Sequence, residues 1–178
     1  MKISELDLPN PALEFLEADG FSELYPPQAE SINAGLLEGK SILVSAPTAS
    51  GKTLIATIAM INYLSKNKGK VVYLSPLRAL AAEKFSEFKK LEKIDFGRKI
   101  KVQISTGDYE SVDKGLEKSD VLILTNEKMD SIIRHGPDWI EDIGLVIADE
   151  VHFLLNSFIC SPICAEIIKS FVHSSFML

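Results

Sequence analysis

Cysteine is scarce in this chain and poorly placed to build structure. Cys160 and Cys164 are the two in 178 residues and lie four apart, too few and too close for a disulfide framework or a complete zinc site. That usage predicts a reducing, cytoplasmic setting. No apolar run follows the opening Met1-Lys2-Ile3-Ser4-Glu5-Leu6-Asp7, so the start does not read as a secretory signal. A membrane span is missing too: the most apolar stretch, 153–178, has Glu166 and Lys169 as its charged groups but is interrupted by Asn156, Ser157, Ser161 and Pro162. Positive charge is short overall, with 19 Lys and Arg against 25 Asp and Glu and a net charge of -6. This excludes the molecule-wide basic footprint of an avid nonspecific nucleic-acid binder, so any such contact must be local. Neither an internal repeat nor a low-complexity tract is present.

What is there reads as one globular domain, 46% hydrophobic and 25% charged, long enough to bury a sizeable core. Five short apolar runs without clean alternation predict buried strands: Ser41 to Ser45, Val71 to Ser75, Lys101 to Ser105, Val121 to Thr125 and Leu145 to Ala148. Helical spacing fills Lys52 to Leu64, Leu80 to Leu91 and Glu127 to Arg134, and Gln28 to Leu37 is a further helix entered through Pro26-Pro27. Alternating strands and helices predict an α/β fold, a parallel sheet with helices on both faces. The Lys52–Leu64 helix is apolar almost all round and is expected at the centre. Ser161-Pro162 is a candidate start for a last helix. Charge is uneven: acids dominate the first thirty residues, while Lys84, Lys89, Lys90, Lys93, Arg98, Lys99 and Lys101 make the middle more basic. Interleaved Glu83, Glu87 and Glu92 favour reading that cluster as a solvated helix face.

The most informative run is Ser45-Ala46-Pro47-Thr48-Ala49-Ser50-Gly51-Lys52-Thr53. A Gly-Lys-Ser/Thr triplet alone arises by chance in roughly one chain in ten of this length at average composition. Its position between a strand and a helix is therefore what makes it a phosphate-binding loop. Backbone N–H groups of the Ala46–Thr53 loop, Pro47 excepted, and the positive end of the helix would face the phosphates of ATP, and Gly51 lets the backbone approach without a Cβ. Lys52 can reach the β- and γ-phosphates as a point charge, and the Thr53 hydroxyl can ligate Mg²⁺. Ala46 stands where the pattern usually begins with glycine. Asp149-Glu150 ends the apolar run Leu145-Val146-Ile147-Ala148, and ligands of open parallel sheets bind beyond the carboxyl ends of the strands. Asp149 would hold the metal and Glu150 would orient or deprotonate the attacking water. Without the phosphate loop this pair would read as an acidic strand end with no task.

Together, Ala46 to Thr53 and Asp149-Glu150-Val151-His152 resemble the first and second motifs of superfamily-2 DExH-box helicases. Leu24-Tyr25-Pro26-Pro27-Gln28-Ala29-Glu30 resembles their adenine-reading Q-type motif, and Pro76-Leu77-Arg78-Ala79-Leu80-Ala81 resembles motif Ia. Ser105-Thr106-Gly107-Asp108-Tyr109 matches a further family segment. Within the superfamily the chain is most similar to Ski-like archaeal DNA repair helicases over residues 3–152. The resemblance implies a RecA-like domain of an ATP-dependent motor acting on nucleic acid, single-stranded and DNA rather than RNA. It assigns Gln28 to adenine, Arg78, Thr106, Gly107, Thr125 and Lys128 to the nucleic-acid path, and His152 to coupling the ATP site with the rest of the motor. His135 and His173 read as structural.

After His152 the resemblance weakens: the family's Ser-Ala-Thr motif and second RecA-like domain have no counterpart. The expectation is a single RecA-like domain over 1–178, with an extension and Q-type motif in 1–40, the core in 41–152 and an atypical apolar segment in 153–178. Most of that apolar segment is expected to pack as core, and the remainder offers a surface for self-association. Arginine fingers from a second domain contribute on the order of 10³ to 10⁵ in related enzymes, so the chain alone is expected to hydrolyse ATP weakly. Two functions stay open: the motor domain of a helicase, and a binding module for nucleotide or nucleic acid without useful turnover. A small P-loop kinase would need an arginine-rich lid, which the sequence lacks.

Overall fold

The central strands show why their sequences do not alternate. In β2 (Lys70–Ser75) and β4 (Val121–Thr125) every residue is buried, because both faces of the sheet are covered. Val71 and Tyr73 point into one hydrophobic cluster, and Val72 and Leu74 into another, the two-residue period of a strand. The first cluster is filled by α1 (Asn10–Ala18), α3 (Lys52–Lys66) and α4 (Arg78–Phe88), through Leu16, Ile55, Ile58 and Phe88. The second is closed by α5 (Asn126–His135) through Met129 and Ile132. Helices on both faces of a parallel sheet are thus observed. The computed structural model describes residues 1–47, 50–106 and 115–150 and the backbone of 175–177.

Within the described residues the sheet has six strands in the order β1-β6-β5-β2-β4-β3, every pairing parallel. β1 is Ile42–Leu43, β3 Val102–Ser105, β5 Ile143–Ala148 and β6 Ser175–Met177. β4 coincides with its predicted run, and β5 begins two residues early. β1 shrinks from five expected residues to two: it is the edge strand, pairing with β6 through Ile42 and Leu43, and Leu43 is exposed. β6, not expected from the sequence, lies between β1 and β5, with Phe176 aligned to Ile42 on one side and Ile147 on the other.

Helix ends follow local chemistry. α2 covers Pro26–Asn33 rather than Gln28–Leu37. Pro26 and Pro27 occupy the first turn, where a missing N–H costs nothing. The chain then turns at Gly35, whose φ of +104° is left-handed. α5 starts where the Thr125 hydroxyl accepts from the Lys128 backbone N–H at 3.3 Å, and ends at Gly136 with φ +56°. α1 was not expected, although Pro11 in its first turn and the buried pair Ala12 and Leu16, one turn apart, carry a helical signal. At the opposite, amino-terminal edge of the sheet, the buried Lys70 ammonium donates to the carbonyls of Glu117 at 2.6 Å and Ser119 at 2.9 Å. This ties β2 to the turn before β4. Burial lowers its pKa, against the pull of Asp142, Asp120 and Glu117.

Several expectations fall outside the described residues: Thr48 and Ala49 of the loop, Gly107, His152, His173, Cys160, Cys164, the helix start at Ser161-Pro162, and the packing of 153–174. No helix among the described residues is long and apolar enough to cross a membrane.

Candidate nucleotide and metal site

The phosphate loop leaves β1 and enters α3 through Gly51, whose φ of +81° is left-handed. The left-handed conformation calls for glycine, and a Cβ there, 2.1 Å from the Gln28 amide nitrogen, would push that side chain aside. Gln28 is buried at 2% exposure. Its Oε1 accepts from the Tyr25 N–H at 2.7 Å and its Nε2 donates to the Gly51 carbonyl at 3.2 Å. The residue expected at the adenine therefore also holds the loop. Lys52 Nζ donates to the Ala46 carbonyl at 3.1 Å, folded over the loop it belongs to. The Ser50 hydroxyl is buried without a hydrogen-bond partner. A buried polar atom of this kind, unpartnered among the described residues, calls for a further acceptor or donor, which fits a loop shaped around phosphate oxygens.

Asp149 and Glu150 follow β5 as expected. The Asp149 N–H donates to Leu74 O at 3.0 Å, which carries the β2–β5 ladder one residue past the strand. Its carboxylate is held from two sides: the Tyr73 hydroxyl donates to Oδ2 at 2.7 Å, and the Glu150 N–H donates to Oδ1 at 3.0 Å. A carboxylate offers about four lone-pair sites, so capacity for a metal remains. Glu150, at φ +51°, is the one non-glycine residue in the left-handed region among the described residues. Such strain is held in place only by surrounding contacts and gathers at functional sites. Burial first, then the Asp149 charge and hydrogen bond, then Glu87 and Glu150, push the Tyr73 phenol above its ordinary pKa. It therefore stays protonated and donating. Its ring also meets Phe88 edge-on, with centroids 4.9 Å apart.

Two residues of this site were not singled out in the sequence. Tyr73 sits within an apolar strand run, and only its pairing beside β5 brings its hydroxyl to Asp149. Lys84 belongs to the cluster read as a solvated face, and Lys89, paired with Glu92, and Lys90, paired with Asp19, fit that reading, whereas Arg98 lies beyond the helix, 26% exposed, bonded to Asp120 and to the Leu64 and Asn67 carbonyls. Lys84 differs. Its Nζ donates to Thr53 Oγ1 at 2.7 Å and to Glu87 Oε2 at 3.0 Å. The oxygen set of Thr53 and Asp149 suits a hard cation such as Mg²⁺. No cluster of three or more His, Cys, Asp or Glu that could hold a metal by itself occurs among the described residues.

The residues assigned to a nucleic-acid path follow the carboxyl ends of other strands. Arg78 is exposed at the start of α4 after β2, and Thr106 is half-buried after β3. Thr125 and Lys128 are different, both buried, and the Thr125 side chain is occupied in capping α5. A cavity of about 350 Å³ lined by residues such as Leu37, Lys40, Asn62 and Tyr63 lies at the opposite edge of the sheet, away from all of these groups.

Comparison with known proteins accords with this geometry. The sequence pattern of the DEAD/DEAH box helicase family matches residues 25–177. The chain is 50% identical over 154 residues to the ATP-dependent DNA helicase Hel308 of Pyrococcus abyssi, and 47% identical over 154 residues to that of Thermococcus kodakarensis. In each case 86% of the chain is aligned, against 21% and 13% of the relative. The chain thus spans about a fifth or less of their length. Among solved structures, the DUF1998 helicase MrfA superposes with a TM-score of 0.77 at 23% identity, covering 96% of this chain and 29% of that one. Its complex with DNA and AMPPNP gives a TM-score of 0.74 at 23% identity, with 96% and 26% covered. At that identity the likeness speaks to the RecA-like fold alone.

Proposed function

Because the chain belongs to the DEAD/DEAH box helicase family, we propose that it is the ATP-binding motor domain of an ATP-dependent DNA helicase. The observation that carries the proposal is the convergence of the phosphate loop and the acidic pair on one carboxyl edge of the sheet. Thr53 accepts from Lys84, which also donates to Glu87, and Asp149 accepts from Tyr73, whose phenol feels the charge of Glu87. Lys52 would leave the Ala46 carbonyl for the β- and γ-phosphates, with the Ser50 to Thr53 amides at the positive helix end around them. Thr53 and Asp149 would hold Mg²⁺, which when bound neutralises charge on the phosphate oxygens. Glu150 would orient the attacking water and take its proton. Gln28 would read adenine; since the same amide holds Gly51, base recognition and loop position would share one side chain.

The rest of the proposal draws on the family. The domain spans the whole chain and works in the cytoplasm. Arg78, Thr106, Gly107, Thr125 and Lys128 line the path of single-stranded DNA, mainly through its phosphates, and His152 couples it to ATP. Phosphate contacts position a strand without reading its sequence. A second RecA-like domain completes the cleft, and the 178 residues alone bind nucleotide with weak turnover. The test is ATPase activity in a longer protein containing this chain: stimulation by single-stranded DNA, lost on Lys52→Ala or Glu150→Gln. An absence of stimulation by any nucleic acid would sink the proposal.

A further inference from the structure

We infer that Lys84 is a positioning residue of the metal site, holding the Thr53 hydroxyl oxygen until Mg²⁺ displaces the ammonium onto Glu87. The inference rests on the reading of Thr53 as a metal ligand. Three observations carry it. The contact is short and direct, 2.7 Å from Nζ to Oγ1. The Lys84 side chain is 13% exposed, while Lys89 and Lys90 on the same stretch stand at 47% and 46%. Glu87, three residues on, already accepts from the same ammonium at 3.0 Å and is 40% exposed.

A threonine hydroxyl has one hydrogen and two lone pairs, and Lys84 takes one of those pairs. Magnesium binds oxygen at about 2.1 Å and demands near-ideal geometry. Seated on the remaining pair, it would lie about 4 Å from Nζ, where two cations repel. The metal and the ammonium therefore compete at Thr53. Glu87 offers the ammonium a place to go without leaving α4, so the exchange needs a side-chain rotation rather than movement of the helix. Lys84 keeps the hydroxyl aimed and bonded before the metal arrives, and its departure sets the metal concentration at which nucleotide is held.

The test uses the 178-residue chain, a fluorescent non-hydrolysable ATP analogue and a titration of free Mg²⁺. Lys84→Met is expected to lower the half-saturating Mg²⁺ on the order of tenfold, the worth of one hydrogen bond to a charged group. Its analogue affinity in EDTA should stay unchanged. Glu87→Gln, at a more exposed position, should raise the Mg²⁺ requirement, and should do so far less in a Lys84→Met background. An unmoved Mg²⁺ requirement in Lys84→Met overturns the inference. So does weaker analogue binding in EDTA, which would make Lys84 a phosphate ligand, and so does an equal effect of Glu87→Gln in both backgrounds. Thr53→Ala separates the two levels. If the Mg²⁺ dependence survives it, the metal-ligand reading falls and the inference with it. If the dependence is lost there but unmoved by Lys84→Met, the role of Lys84 alone falls.

Discussion

The carboxyl edge of the sheet divides into two halves of different character. Around β1 and β5 the functional groups hold one another: Gln28 holds Gly51, Lys52 the Ala46 carbonyl, Tyr73 the Asp149 carboxylate and Lys84 the Thr53 hydroxyl. Around β4 and β3, beyond the shared strand β2, the assigned residues are dispersed. Arg78 is exposed, Thr106 half-buried, and Thr125 buried with its hydroxyl capping a helix. The first half is tied together by hydrogen bonds among its own groups, two of which, from Lys52 and Lys84, an incoming nucleotide and metal would exchange. The second presents separate residues at the ends of different strands, an arrangement that a repeating phosphate backbone would meet with less precision.

The contrast can be broken by substitution. Gly51→Ala should have the largest effect, destabilising the chain by about 1–3 kcal/mol in denaturant unfolding, because it forces a left-handed alanine and drives a Cβ into the Gln28 amide. A neutral result would mean the loop is not held as described. Tyr73→Phe should cost about 1 kcal/mol by removing the hydrogen bond to Asp149. This variant also carries a pH signature. With its folded pKa raised, Tyr73 contributes stability that is present below the unfolded value of about 10 and lost as pH rises beyond it. The alkaline loss should be smaller in Tyr73→Phe, measured by thermal unfolding between pH 9 and 11 as roughly the window around that value.

Substitutions in the second half should act independently of one another. Thr125→Ala should lower stability by about 1 kcal/mol through loss of the α5 cap. If it weakened DNA binding with stability intact, the residue would belong to the path and not the scaffold. The smallest effect should come from Arg78→Ala: modestly weaker binding to single-stranded DNA, with the salt slope reduced by about 1, and unchanged ATP affinity. Loss of ATP affinity there would show the two halves to be coupled.

The two halves also differ in how far the sequence alone describes them. Gly51, Lys52, Thr53, Asp149 and Glu150 are contiguous signals set at strand ends, so local pattern and topology agree on where they lie. Val121–Thr125 reads as a strand because every position is apolar or capping. Tyr73 and Lys84 were not legible, since each acts across 76 and 31 residues of chain and is masked by a commonplace local reading, a core tyrosine and a surface lysine. β6 escaped notice because three residues carry too little pattern. Its place between β1 and β5 is a property of the sheet. Thr125 shows what resemblance alone does not give: its hydroxyl also caps the helix that follows.

Everything proposed for this edge depends on Lys52 and Thr53 holding the phosphates and metal of ATP. Isothermal titration of Mg·ATP into the 178-residue chain and its Lys52→Ala variant tests it most directly. The account predicts saturable one-site binding by the parent, weakened about 100-fold or more by loss of the charged contact, with the variant's circular dichroism and melting unchanged. Equal binding by a folded Lys52→Ala variant, or no binding by the parent, would contradict it.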